Sequence, residues 1–168
     1  PKELLYELAT LGVDVVNVAN AHAGDWGRGA YGDYLLALKE AGFLIAGGSE
    51  GVIDKGKTQV VERGGVRVGF LSFSDAGPEW LSKDDYLPSI LSAKDARFPE
   101  RIRAATREAD HLVVGIASDD ARDDARIRQE AFARATIDAG ARVVVWFSSA
   151  ENPKQESYKN GMIFYGQN

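Results

Sequence analysis

Three predominantly apolar runs, at residues 13–18, 111–117 and 141–147, constrain the fold of this chain more than any other feature of its sequence. A strand with apolar side chains on both faces must be covered on both faces, as in the interior of an α/β sheet. Segments with helical spacing of leucine or alanine lie between the runs, and several of them end at a glycine. We therefore predict an α/β protein in which the three runs are interior strands of one central sheet.

A hairpin signal predicts that this sheet is mixed. Gly64-Gly65 separates residues 59–63 from residues 66–72, and a Gly-Gly pair between two strand-like segments favours a tight antiparallel turn. A long loop-like segment follows at residues 75–98 and is typical of a lid or rim of a binding site. The remaining predictions are short strands at 43–46 and 162–165, a turn at 47–51 and a polar loop at 148–159.

Charge and composition exclude several classes of function. With 20 basic and 25 acidic residues in 168, the net charge is −5, so we expect no nucleic-acid partner and no membrane partner. The absence of cysteine excludes disulfides, zinc–thiolate sites and thiol nucleophiles. Neither a signal peptide nor an apolar run long enough to cross a membrane is present. The length fits a single domain, and because the chain begins at Pro1 we expect a trimmed piece of something longer.

The loop after the first apolar run holds the candidate catalytic residues. Ligands of open α/β sheets gather beyond the carboxyl ends of the strands, and this loop contains Asn20, His22, Asp25 and Trp26. A histidine can act as a base or a ligand, and a nearby aspartate can orient it. We predict His22 and Asp25 as catalytic and Asn20 and Trp26 as cleft residues. A polar loop that merely caps the next helix explains the same pattern.

Three further cleft candidates are Asp75, Trp146 and Ser148, which lie at or just beyond the ends of other predicted strands. Tryptophans at such a position suit an apolar or sugar-like ligand, although packing at the rim of the core also explains them. A Ser148–His22–Asp25 triad is geometrically conceivable, but no Gly-x-Ser-x-Gly elbow surrounds the serine.

An acidic cluster follows the second apolar run and consists of Asp119, Asp120, Asp123 and Asp124. Carboxylates in this number could hold calcium or magnesium. Acids also favour the start of a helix because of the helix dipole, and here they alternate with arginines. We favour the helix-start interpretation and predict no metal site.

Three segments of the chain carry a family resemblance. The first segment, residues 12–20, reads Gly-Val-Asp-Val-Val-Asn-Val-Ala-Asn and is followed by His-Ala-Gly-Asp at 22–25. The second is residues 66–71, with Ser74-Asp75 after it. The third begins with Ile137-Asp138-Ala139-Gly140-Ala141 and continues with Tyr158-Lys159 and Ile163-Phe164-Tyr165. In this order they resemble the CapA-like, poly-γ-glutamate capsule synthesis branch of the calcineurin-like metallophosphatases. The resemblance implies a sheet-on-sheet α/β fold with outer helices, a divalent metal pair as cofactor, phosphoesterase-type chemistry and the bacterial cell envelope.

The positions where the resemblance implies metal ligands carry other residues. Ala21 stands where the family has the second asparagine of Asn-Asn-His, and Ala117 stands at a ligand histidine. Ser148 and Ala150 occupy two positions of the family's Gly-His-His-Pro-His segment, and the family's first strand with its early aspartate has no counterpart. We therefore predict an incomplete version of the fold whose metal site was lost by natural decay or by engineering, with no metal and no cofactor.

Two classes of function follow from this interpretation. The first is a non-catalytic scaffold or binding module that uses the old cleft for an unknown small molecule. The second is a hydrolase, either ancestral in type or rebuilt without metal around His22 and Asp25. Because leading strands are expected to be missing, an apolar edge or face is expected to be left open, and we predict self-association or a missing partner segment.

Overall fold

The computed structural model describes residues 2–51, 56–83, 87–118, 125–148 and 154–167. The helices are α1 (Lys2–Thr10), α2 (Gly27–Glu40), α3 (Glu79–Ser82), α4 (Phe98–Ala105) and α5 (Ala125–Asp138). The strands are β1 (Val15–Asn17), β2 (Leu44–Ala46), β3 (Gly48–Ser49), β4 (Gln59–Arg63), β5 (Val66–Ser74), β6 (Ser89–Ile90), β7 (His111–Ala117), β8 (Val143–Phe147), β9 (Lys154–Tyr158) and β10 (Gly161–Gln167). The predicted α/β class is confirmed.

Six strands form the central sheet in the order β4-β5-β7-β8-β10-β9. The inner strands β5, β7, β8 and β10 are parallel to one another, while β4 and β9 join the two edges in the antiparallel direction. The predicted hairpin is confirmed: Gly64 and Gly65 connect β4 to β5 with φ values of 59° and 79°. Glycine adopts this left-handed conformation without a steric penalty. The sheet is therefore mixed, as predicted.

One face of the central sheet packs against α4 and α5. A row of side chains across the four inner strands lies on this face, and each of its members, Leu71, Val114, Val144 and Ile163, is at most 1% exposed. These residues form one hydrophobic cluster with apolar residues of the two helices. The prediction that β7 and β8 are interior strands is confirmed.

The first apolar run does not enter the central sheet, so this part of the prediction is wrong. β1 pairs in parallel with β2 in a separate two-stranded sheet, and its three residues are only half-buried. The run is interrupted by Asp14, which forms a surface ion pair. It ends where the side chain of Asn17 accepts a hydrogen bond from the N–H of Ala19 and turns the chain. Of the six residues predicted as a strand, only the three of β1 are paired with β2.

Three segments predicted as turn or loop contain short strands. β3 lies in the predicted turn at 47–51 and pairs in the antiparallel direction with β6, which lies with α3 in the predicted loop at 75–98. β9 lies in the predicted loop at 148–159 and pairs with β10. Two-residue strands are too short to show periodicity, and β9 is polar because an edge strand is partly exposed.

The sheet of β1 and β2 and the elements packed against it form a second layer. α2, α3 and β6 contribute to a separate hydrophobic cluster, whose largest fully buried members include Leu35, Leu38, Leu81 and Ile90. The layer meets the central sheet where Gly47, just after β2, approaches Ser72 of β5. This contact packs the second layer against β5 of the central sheet. No described helix is both long enough and apolar enough to cross a bilayer.

An ion pair between β9 and α5 predicts how stability depends on pH. Glu156 accepts hydrogen bonds from Arg134 Nε at 2.8 Å and from the Tyr165 hydroxyl at 3.1 Å, and its side chain is 16% exposed. The hydrogen bond from Arg134 lowers the pKa of Glu156 below its ordinary value of 4.5, and the hydrogen bond from Tyr165 acts in the same direction. The folded state therefore binds this proton less tightly than the unfolded state, and the stabilisation is present above pH 4.5 and lost as the pH falls further.

Glu156→Gln is therefore expected to lower the free energy of unfolding by about 1–2 kcal/mol at pH 7, with a deficit that shrinks toward about pH 3. Urea unfolding at both pH values measures the two deficits. Glu7→Gln, at an exposed position of α1, is the control and should change little at either pH. A deficit for Glu156→Gln that is equal at both pH values would contradict the assignment.

Candidate functional site

The strands β5, β7 and β8 end side by side at one edge of the central sheet. Ser74 pairs with Ala117, which in turn pairs with Phe147. Beyond these pairs, the N–H of Asp75 donates to the carbonyl of Ala117 at 2.8 Å, and the N–H of Ser118 donates to the carbonyl of Phe147 at 3.1 Å. The backbone that follows β5 and β7 is therefore held in place at this edge, which is where ligands of α/β sheets gather.

A cavity of about 390 Å³ lies against this edge, between the strand ends and α5. Its floor includes Phe132 and Trp146, whose rings meet edge-to-face with their centroids 5.9 Å apart. The indole N–H of Trp146 donates to Ser118 Oγ at 2.6 Å, and Gln129 Nε2 donates to the same oxygen at 3.3 Å. The polar residues of the wall are Asp75, Lys94, Ser118, Arg128 and Gln129.

The pairing register decides which side chains reach this cavity. Ile116 and Trp146 are paired neighbours and are buried on the side of α4 and α5. Because side chains alternate along a strand, Ala117 and Phe147 lie on the other side of the sheet. The cavity is therefore on the helix side, while Ala117 belongs to the side that faces the second layer.

The loop after β1 is held by its own hydrogen bonds. Asn20 Oδ1 accepts from the N–H of His22 at 2.9 Å, and His22 Nδ1 lies 3.0 Å from Asp25 Oδ2. The side chains of His22 and Asp25 are 87% and 54% exposed, and Trp26 is 92% exposed. Arg28 fastens the end of the loop to α3 by donating to the carbonyl of Trp80 at 2.9 Å. The His–Asp pair is thus ordered by local contacts but lies open to solvent.

The predicted site residues therefore fall into separate places. Asp75 and Trp146 line the cavity, whereas Asn20, His22, Asp25 and Trp26 belong to the loop after β1 and are not among the residues that line it. Ser148 is buried, with 6% exposure, and also does not line the cavity. Within the described ranges no hydrogen bond joins it to His22, so the geometry of the Ser–His–Asp triad is not assembled.

The metal pair that the family resemblance implies can be tested against the donor set. Two ions about 3.5–4 Å apart need several histidine and carboxylate ligands that converge on them. In the part of the chain that the structure describes, no three such side chains are grouped. These residues do not fit a metal pair. Ala150 and the acidic cluster at 119–124 lie outside the described residues.

Sequence reasoning missed most of the cavity wall. Lys94 lies in the segment predicted as a loop, and Arg128 and Gln129 belong to α5, where no cleft residue is predicted from the sequence. The available signal was the position of α5 directly after the end of β7, since the first turns of such a helix lie near the strand-end edge. That signal indicates that α5 begins near the strand ends, but it does not specify which turn of α5 faces them.

The family model and the two relatives that match this chain are described as proteins of bacterial capsule or PGA synthesis. The model of the family described as "Bacterial capsule synthesis protein PGA_cap" matches residues 1–167. The capsule biosynthesis protein CapA of Bacillus anthracis is 30% identical over 98% of this chain, and the PGA biosynthesis protein CapA of Bacillus subtilis (strain 168) is also 30% identical over 98%. The chain spans 41% and 44% of the lengths of these two relatives.

A solved structure supports the fold. The 5′-nucleotidase precursor from Thermus thermophilus superposes with a TM-score of 0.58 at 17% identity, over 97% of this chain and 34% of that chain. At this identity the likeness concerns the fold alone. It agrees with the metallophosphatase-type arrangement of a mixed sheet, a second layer and outer helices.

Proposed function

Because the chain belongs to the bacterial capsule synthesis protein family, in its CapA-like, metallophosphatase-fold branch, we propose that it acts in capsule synthesis as a metal-independent binding module that uses the cavity at the strand ends. The observation that carries this proposal is the donor set of that edge. Asp75 is the one carboxylate among the described residues that line the cavity. Ala117 is the last residue of β7, and Ser148 directly follows β8. The described residues of this edge are suited to binding and do not include the ligands of metal-assisted hydrolysis.

The wall of the cavity favours an anionic ligand. Among the described residues of the wall, Lys94 and Arg128 contribute two cations and Asp75 one carboxylate, while Ser118 and Gln129 contribute polar groups. Arginine and lysine recognise carboxylates through charge-assisted hydrogen bonds. One relative is a PGA biosynthesis protein, and the ligand class we propose is a carboxylate-bearing segment of a capsule polymer. This function places the module at the cell envelope.

Titration with oligomers of γ-linked glutamate tests the proposal directly. Trp146 lines the cavity, so its fluorescence and calorimetry both report binding. Lys94→Glu with Arg128→Glu is expected to weaken the affinity at least about 30-fold, because two attractive contacts become repulsive. Arg103→Glu, an exposed change on α4 away from the cavity, is the control for added negative charge. Equal affinities for the parent and the double variant would overturn the assignment of the cavity.

A metal-independent hydrolase is the second candidate, and the contact of 3.0 Å between His22 and Asp25 favours it. An aspartate can hold an imidazole ready to act as a general base. The discriminating measurement is hydrolysis of bis(p-nitrophenyl) phosphate and p-nitrophenyl acetate in the presence of a chelator. We expect the parent and His22→Ala to match the uncatalysed rate. Turnover by the parent that His22→Ala abolishes would establish the hydrolase instead.

A further inference from the structure

A second cavity, of about 350 Å³, lies beside the cavity at the strand ends. Its described wall is formed by α3 with the residue after it and by residues of the segment 91–97, which leads into α4. Lys94 lines both cavities, so the two adjoin at this side chain. Each volume lies within the roughly 300–1,000 Å³ of small-molecule sites. We call the second cavity the rim cavity.

The backbone around Lys94 is fixed to the end of β5. The N–H of Ser74 donates to the carbonyl of Leu91 at 2.8 Å, and the N–H of Ala93 donates to the carbonyl of Ser74 at 3.0 Å. The N–H of Lys94 donates to Ser92 Oγ at 3.1 Å. The Lys94 side chain is exposed, and among the described residues no hydrogen bond or ion pair engages its ammonium group. A cation that is open to a ligand therefore lies between the two cavities.

The described wall of the rim cavity has an excess of positive charge. Its charged side chains are Glu79, Lys83, Lys94, Asp95 and Arg97. Arg97 Nη2 lies 3.0 Å from Asp95 Oδ2, and Arg101 Nη2 lies 3.5 Å from the same oxygen, so two guanidinium groups share one carboxylate. Lys83 and Glu79 are 74% and 64% exposed, and an ion pair at such a surface is weak. The excess favours an anionic ligand, although the whole chain has a net charge of −5.

We propose, on the basis of the proposed function, that the rim cavity is a second subsite for the same carboxylate-bearing polymer, which crosses Lys94 and places one carboxylate in each cavity. Lys83 and Arg97 bind the carboxylate in the rim cavity through charge-assisted hydrogen bonds. Leu91, which is 3% exposed, gives the wall an apolar patch. The methylene groups between the carboxylates of γ-linked glutamate pack against this patch.

The length of the oligomer therefore controls the affinity. Once one carboxylate is bound in the first cavity, the next is held close to the rim cavity, and its binding is intramolecular. Titration with γ-linked glutamate oligomers of two to about ten residues is expected to show a total gain in affinity of more than about 30-fold, which levels once both cavities are filled. The many registers of a long oligomer on a single site would add less than about 10-fold.

Lys83→Gln with Arg97→Gln removes two cations of the rim cavity and changes no residue of the first cavity. The longest oligomer is expected to bind this variant at least about 10-fold more weakly, and the dipeptide with unchanged affinity. Arg103→Gln with Arg107→Gln is the matched control, because it removes the same charge at exposed positions that line neither cavity. Lys83→Gln alone, at a position 74% exposed, guards against misfolding of the double variant and should show a smaller loss in the same direction.

A single introduced thiol reports occupancy of the rim cavity directly, because the chain has no cysteine of its own. Ser82→Cys lies in the wall of this cavity. The longest oligomer at saturation is expected to slow its reaction with N-ethylmaleimide at least about fivefold, and the dipeptide is not. Ser157→Cys, exposed on β9, is the control and should react at the same rate with and without either oligomer.

Two results would overturn the second subsite while leaving the first cavity as a binding site. One is equal affinity of the parent for the dipeptide and the longest oligomer. The other is a folded Lys83→Gln, Arg97→Gln variant that binds the longest oligomer as tightly as the parent does. If the parent bound no oligomer of any length, the proposed function itself would fail, and the second subsite with it.

Discussion

Gly47→Ala is expected to lower the free energy of unfolding by about 2–5 kcal/mol, a large part of the stability of a domain of this size. Gly47 has a φ of 85°, and a Cβ atom there would lie 2.6 Å from the Cβ of Ala19 and 2.9 Å from the carbonyl oxygen of Ser72. The left-handed conformation costs an alanine about 1–2 kcal/mol, and overpacking between two backbones adds about 1–3 kcal/mol. Urea unfolding measures the loss.

A matched control separates these two contributions. Gly42 has a φ of 89°, and nothing lies within 4 Å of a Cβ atom built there. Gly42→Ala is therefore expected to lose only the conformational part, about 1–2 kcal/mol. If Gly47→Ala lost no more than Gly42→Ala, then the second layer would not be pressed against the central sheet at this point, and our description of the contact would be wrong.

The fold could be predicted where the sequence of a single strand or turn is itself diagnostic of its structure. β7 and β8 are apolar on both sides, and the Gly64-Gly65 turn needs a conformation that favours glycine, so both features were found. β9 could not be found, because Lys154–Tyr158 is held by backbone pairing to one neighbour and its side chains are polar. β1 failed for the opposite reason, since the composition of an interior strand was present but only three residues have a pairing partner.

The candidate site was less predictable than the fold. Sequence reasoning placed Asp75, Trp146, Asn20 and Trp26 in one cleft because they all follow or end strands, but the structure places only the first two in the cavity. Which face of a sheet a residue reaches depends on the register between neighbouring strands. No single segment of sequence specifies that register. The contact between His22 and Asp25 spans three positions of one loop, and its ordered geometry is a local property of that loop.

The substitutions Ala21→Asn, Ala117→His, Ser148→His and Ala150→His together are expected to raise the affinity for Mn²⁺ or Zn²⁺ at least about 100-fold, equivalent to roughly 2.7 kcal/mol. A bound ion needs about three protein ligands, and in the parent His22 and Asp25 supply at most two near one point. Ala117 ends β7 and Ser148 follows the end of β8, and because they are 7% and 6% exposed, histidines there are expected to be held firmly. Calorimetry on the parent and the fourfold variant measures the gain.

Exposed histidines elsewhere provide the control for this gain. Leu36→His with Ile127→His adds two imidazoles at positions 49% and 77% exposed, on α2 and α5, and should not raise the affinity. Adding His22→Ala to the fourfold variant should remove most of the increase, because it deletes one ligand of the restored set. Since the early aspartate is not restored, we expect at most one ion and little phosphodiester turnover. Tight stoichiometric binding by the parent would contradict metal independence, and a folded fourfold variant without any gain would show that the ligand positions inferred from the family resemblance are wrong.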